Sequence, residues 1–116
     1  MAQPIDIVVE DMISAIEQAQ SFMGALTFLQ YDRDVKTQRA VERCLEVISE
    51  ASRRIPHNVK KRYPSVQWGN IAGIGNVLRH DYRSIANQIV WDTVDVHLPR
   101  LLETMRAIEA SLPKET

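Results

Sequence analysis

The sequence predicts an all-α domain, an up-and-down bundle of four or five helices, and three observations predict it. Apolar residues recur three and four apart through most of the 116 residues, and no run sustains the two-residue alternation of a half-buried strand. Four glycines and five prolines supply too little turn material for the many hairpins of an all-β sandwich. Connections are short, without an internal repeat or a linker, so residues 1–116 are expected to form one domain. With 45% hydrophobic and 25% charged residues, the chain can bury a single core without disulfide or metal staples.

The first helix is expected from Ile5 to about Leu26, where Val9, Met12, Ile13, Ile16, Ala19 and Met23 form one stripe. Asp6 is its candidate N-cap, Glu10 and Asp11 sit early, where acids suit the helix dipole, and Gly24 marks its end. Thr27 to Asp34 breaks the pattern and holds a short helical turn. A second long helix runs from about Asp34 to Arg54 with Val35, Val41, Cys44, Leu45, Ile48 and Ala51 on its stripe. Arg53 and Arg54 complement the dipole at its end, and Pro56 stops it. His57 to Pro64 is a basic connector. Ser65 then caps a third helix from about Val66 to His80, with Trp68, Ile71, Ile74 and Leu78 on its apolar face. A fourth stretch begins near Ser84 and carries Ile85, Ile89, Val94, Leu98, Leu101, Leu102, Met105 and Ile108. Pro99 lies inside that pattern, so the helix either kinks there or a new helix starts with Pro99 as its first residue.

Composition excludes several classes of function. The one cysteine, Cys44, cannot form an intramolecular disulfide, which points to a reducing, cytoplasmic setting. No apolar stretch reaches the roughly 20 residues of a membrane helix, and the first residues lack the basic start and apolar core of a signal peptide. A formal net charge of -1 excludes a duplex-coating basic protein but permits a local patch. Arg53, Arg54, Lys60, Lys61 and Arg62 form one such acid-free cluster; taken alone, it reads as a solvated helix end and loop. His57, His80 and His97 stand far apart and there is no glycine-rich phosphate loop, so neither a metal nor a cofactor is implied.

The unusual density is in Asn76 to Arg83, which holds an amide, two arginines, a histidine, an aspartate and a tyrosine. At about 100° per residue, Ile71, Gly75, Leu78 and Tyr82 share the apolar stripe. Asn76 and His80 project together from another side, with Arg79 between the two groups. Imidazole can carry protons near neutral pH, guanidinium can grip a phosphate, and an amide can orient either. That kit suits phosphodiester chemistry. The same residues would also serve as a polar helix end that hydrogen-bonds loops.

A wider pattern bears on the choice. Lys36-Thr37-Gln38-Arg39-Ala40-Val41-Glu42-Arg43, Ile48-Ser49-Glu50-Ala51, Ile55-Pro56, Tyr63-Pro64, Trp68, Ile71-Ala72-Gly73 and His80-Asp81-Tyr82 stand in one register. With Val90-Trp91 and Leu98-Pro99-Arg100-Leu101 after them, they resemble the HepT-like family of HEPN-domain ribonuclease toxins over roughly residues 5–110. The resemblance implies a four- or five-helix bundle that forms a homodimer with two active sites near the subunit interface. It implies RNA cleavage without metal, by attack of a ribose 2′-hydroxyl on the adjacent phosphate, with tRNA one candidate substrate. It also implies a partner antitoxin, a small MntA-type nucleotidyltransferase that attaches AMP to the motif tyrosine. The added phosphates would place negative charge where the RNA phosphate must sit.

The family motif is Arg-x4-His-x-Tyr, generally with Asn after the Arg. Residue by residue, His80 matches the catalytic histidine, Asn76 the asparagine and Tyr82 the tyrosine, the implied AMP acceptor. The motif arginine, however, falls on Gly75. Glycine supplies none of the charge that would hold the scissile phosphate, a loss of about two to three decades in rate. Reduced or absent cleavage is therefore the expectation. Arg79, four residues on, lies only about 40° around and about 5.4 Å along a helix from position 75 and could reach a similar phosphate. The basic residues Arg53, Arg54, Lys60, Lys61, Arg62 and Arg83 become candidate RNA contacts. The alternative is a non-catalytic helical module that binds, and is modified by, a nucleotidyltransferase; a weaker third is a nucleotide-binding helper domain.

Overall fold

Four long helical stretches joined by short connections make up the computed structural model, which describes residues 4–80 and 83–113. Helix α1 (Ile5–Met23) buries Val9, Met12, Ile16, Ala19 and Met23, as their spacing requires. It begins after Pro4 without a side-chain cap, so Asp6 acts in the first turn rather than as the cap. Gly24, at φ 53°, ends α1 in a left-handed conformation that a β-carbon would strain. Helix α2 (Phe28–Arg33) is the short turn expected after Thr27, which forms a capping box with Gln30.

Helix α3 (Val35–Ser52) is capped by Asp34, whose carboxylate accepts from the Thr37 amide at 3.0 Å and from its hydroxyl at 2.7 Å. Those bonds hold the Asp34 carboxyl below its ordinary pKa. Val41, Leu45 and Ile48 are fully buried on α3, and burial keeps the Cys44 thiol above its usual pKa. Val35, placed on the same stripe by periodicity, is 58% exposed because it starts the helix, outside the layer that α1 covers. The connector after α3 folds into α4 (His57–Lys60), which buries Val59.

Helix α5 (Trp68–His80) starts later than expected, and Ser65 lies in the turn before it. Its Trp68, Ile71, Ile74 and Leu78 are half-buried against the core. Helix α6 (Arg83–Asp92) passes through a π-helical turn (Thr93–His97) into α7 (Leu98–Ser111). The Leu98 amide reaches the Thr93 carbonyl, five residues back, and Pro99 sits in the first turn of α7. A proline ring clashes with the carbonyl four residues earlier in a regular helix; the wider turn relieves that clash, resolving the choice posed by Pro99. The inserted residue also advances the stripe, burying Val94 and Leu98 while Val96 faces out. Ile85, half exposed, does not join the core.

The core is where α1 meets α3 and α7, with Ile16, Leu45, Ile48, Met105 and Ile108 fully buried. Each such side chain stabilises the fold by roughly 1.5–3 kcal/mol through burial. Helix α5 packs mainly on α3, and α2 lies on α6 through Phe28 and Tyr31 against Trp91. Among the described residues no helix is long and apolar enough to cross a membrane.

Candidate active site

The last two turns of α5 carry Gly75, Asn76, Arg79 and His80. They sit there because α5 is fastened to α3 one turn upstream. Ser49 Oγ donates to the Ala72 carbonyl at 2.8 Å, and Arg53 Nη2 donates to the same oxygen at 2.6 Å. In a regular helix that carbonyl also accepts from the amide of residue 76, so the anchor lies directly beneath Asn76. Asn76 and Arg79 are exposed, whereas Gly75 is buried. Tyr82 and the side chain of His80 lie outside the described residues.

Gly75 is buried under Arg79. A β-carbon built on Gly75 would lie 3.4 Å from Arg79 Nη1 and 3.9 Å from Ser49 Oγ. The Arg79 guanidinium thus folds back along the helix and stands over the position from which the motif arginine would project. Its closeness was legible from the four-residue spacing; its contact with Gly75 was not.

A second fastening holds the start of α6, just beyond the motif. Arg83 Nη1 donates to Glu42 Oε2 on α3, and Arg39 reaches the other oxygen of Glu42 at 3.2 Å. One turn on, Asn87 Nδ2 donates to Asp32 on α2 at 2.9 Å. Glu42 has only 12% of its side chain exposed, and its charge adds to burial in raising the Tyr31 phenol above its ordinary pKa. Periodicity gave no sign of Glu42, Asp32 and Asn87, since polar residues on a helix normally face water.

The candidate RNA contacts divide into two groups. Arg53 and Arg83, both half-exposed, make hydrogen bonds within the protein, to Ala72 and Glu50 and to Glu42 respectively. Arg54 pairs with Glu50 at 3.3 Å. Lys60 lies over the Trp68 ring at 5.8 Å, while Lys61 and Arg62 are exposed on the turn after α4. No group of three or more histidine, cysteine or carboxylate side chains among the described residues is placed to hold a metal.

The family model for ribonuclease HepT-like proteins matches residues 12–108, a span that includes both fastenings and the motif. The chain belongs to the HepT-like ribonuclease family. It is 37% identical over 92 residues to the "Probable ribonuclease HepT" of Thermococcus cleftensis, covering 79% of this chain and 84% of that protein. It is 34% identical over 98 residues to a "Putative RNase" of Methanocaldococcus jannaschii, covering 84% of this chain and 81% of the relative. No solved structure matches it.

Proposed function

We propose that this HepT-like chain is a cytoplasmic, homodimeric toxin that cuts RNA without metal, at a rate reduced by the glycine at position 75. The observation that carries the reading is the Arg79 guanidinium standing over Gly75, one helical turn from the motif position it replaces. The 2′-oxygen attacks phosphorus, the bond to the leaving 5′-oxygen breaks, and one proton passes from the hydroxyl to the leaving oxygen. His80 is the group that carries that proton near neutral pH. Asn76 orients the reacting groups and Arg79 binds the phosphate, less firmly than an arginine at 75 because it must fold back to reach it. The partner is an MntA-type nucleotidyltransferase that adds AMP to Tyr82, and tRNA is the proposed substrate. Lys61 and Arg62, exposed on the turn after α4 and without an ion pair to another described residue, favour phosphate binding there.

Purified protein incubated with total tRNA tests this. His80→Ala is expected to lower cleavage by about two to four decades, the worth of general acid-base catalysis. Gly75→Arg should raise it by about tenfold or more, since a β-carbon there is close only to the flexible end of Arg79, at 3.4 Å, and stands at an ordinary contact distance of 3.9 Å from Ser49 Oγ. No gain from Gly75→Arg over a parent that cleaves would show that Arg79 already supplies the whole clamp. Full activity in His80→Ala would remove His80 from the mechanism. If neither parent nor Gly75→Arg cleaves, the chain is the non-catalytic module, a reading that the missing arginine at 75 favours. Sedimentation reports the dimer, and mass spectrometry after co-expression with the nucleotidyltransferase reports AMP on Tyr82.

A further inference from the structure

A groove of about 580 Å³ runs between α5 and the α6–α7 stretch, from Val77 and Ile89 at one end to Ser65 and Arg100 at the other. It exists because α5 is fastened to α3 and packs little against α7. Between Gly69 and Val77 it follows α5 for about 12 Å at the helical rise of about 1.5 Å per residue. Its volume is that of a pocket for a small organic ligand or a short stretch of a polymer.

The lining is selective. Of the 17 described residues that form it none is acidic, in a chain with 15 aspartates and glutamates. The shallower concavity between α1 and α7, by contrast, carries Glu10, Glu17 and Glu109. Ile71, Ile74 and Leu101 give the groove apolar walls, and the amides of Gln67 and Asn70, joined by a hydrogen bond from Asn70 Nδ2 to Gln67 Oε1, keep the Gln67 Nε2 donors and the Asn70 Oδ1 acceptor for a ligand. Arg100 and His97, the latter ending the π-helical turn, are exposed, and their side chains make no hydrogen bond or ion pair with other described residues. Apolar walls, amide edges, an unspent guanidinium and an imidazole without an opposing carboxylate match the faces, edges and phosphates of unpaired nucleotides. One end of the groove lies at Val77, three residues before His80, and the other adjoins the turn bearing Lys61 and Arg62.

We propose that this groove is the subsite for an unpaired stretch of the RNA strand leading away from the phosphate at His80. Base faces lie along Ile71 and Ile74, and Arg100 with His97 holds the backbone. This rests on the reading of the chain as an RNA-cutting protein, and names where its substrate is gripped beyond the scissile bond.

The test is binding, not cleavage. In a His80→Ala background, fluorescence anisotropy is measured with a short labelled single-stranded RNA of mixed sequence. Arg100→Glu, a surface change that should leave the circular dichroism spectrum intact, is expected to weaken binding about tenfold and lower the salt slope by about one. Ile74→Trp, which fills the groove, should weaken binding comparably, and Glu17→Gln in the other concavity should not. Unchanged affinity in Arg100→Glu and Ile74→Trp, with weakened binding in Arg79→Ala, overturns the subsite and leaves the ribonuclease reading standing. Conversion of a dimer to a monomer by Ile74→Trp, at unchanged RNA affinity, overturns it in favour of a second copy in the groove. A background protein that binds no RNA overturns both.

Discussion

Helices α3 and α5 lie against each other and are built on opposite plans. Helix α3 is capped by Asp34, buries Val41, Leu45 and Ile48 completely, and touches α1 on one side and α5 on the other. Helix α5 holds three glycines, and its apolar residues are only half-buried. It is located by Ser49 of α3 and Arg53, the residue that ends α3, which converge on one carbonyl. The contrast separates scaffold from site. A helix whose apolar side chains are covered by neighbours has little apolar surface left for a substrate, whereas one held by an edge presents Asn76, Arg79 and the wall of a groove to solvent.

The largest expected effects on stability fall on α3. Leu45→Ala should cost about 2–5 kcal/mol in urea denaturation, as buried leucines do, while Ile71→Ala on α5 should cost less than half as much. Equal losses would erase the distinction. Glu42→Ala should follow at about 1–3 kcal/mol, a moderate cost because water can solvate the half-exposed Arg39 and Arg83 left behind. In hydrogen exchange the first turn of α6 should then open before α3 does; uniform opening would mean that Glu42 supports the whole bundle. The smallest effect concerns the cap. A carboxyl held below its ordinary pKa stabilises the fold above about pH 4 and loses that contribution as pH falls through its native value. Asp34→Ala should therefore lower Tm at neutral pH, and the difference from the parent should shrink in acid. A difference independent of pH would assign the effect to helix propensity instead.

The burial of Cys44 gives a further check. With its thiol buried and its pKa raised, it should react with a thiol reagent only as fast as the protein unfolds. Rapid labelling in the native state would place α3 nearer the surface than α5.

Much of the fold was legible because helices declare themselves locally. The stripe of α1, its end at Gly24 and the burial of Cys44 all followed from spacing and residue type. Boundaries were less legible. Ser65 looked like a cap, yet α5 begins at Trp68, whose indole nitrogen donates to the Tyr63 carbonyl at 3.2 Å and ties the turn down. Val35 and Ile85 fitted their stripes but end up exposed, since a stripe shows which face is apolar and not how far a neighbour covers it. For the site, Asn76, Arg79 and His80 on one helix could be read directly. The protein partners of Arg53 and Arg83, the Ala72 carbonyl and Glu42, could not be read, because nothing in the sequence announces a partner so far away.

The sequence by itself determined the helical class, the order of family residues and the absence of an arginine at position 75. These depend on local periodicity and covalent order. Only the tertiary structure decided which polar groups meet: Ser49 with Ala72 across 23 residues, Arg83 with Glu42 across 41, Asn87 with Asp32 across 55. It also decided that Arg79 covers Gly75 and that an acid-free groove opens beside α5. Those features arise where separately formed helices pack, and packing geometry is set by all the side chains at the contact together.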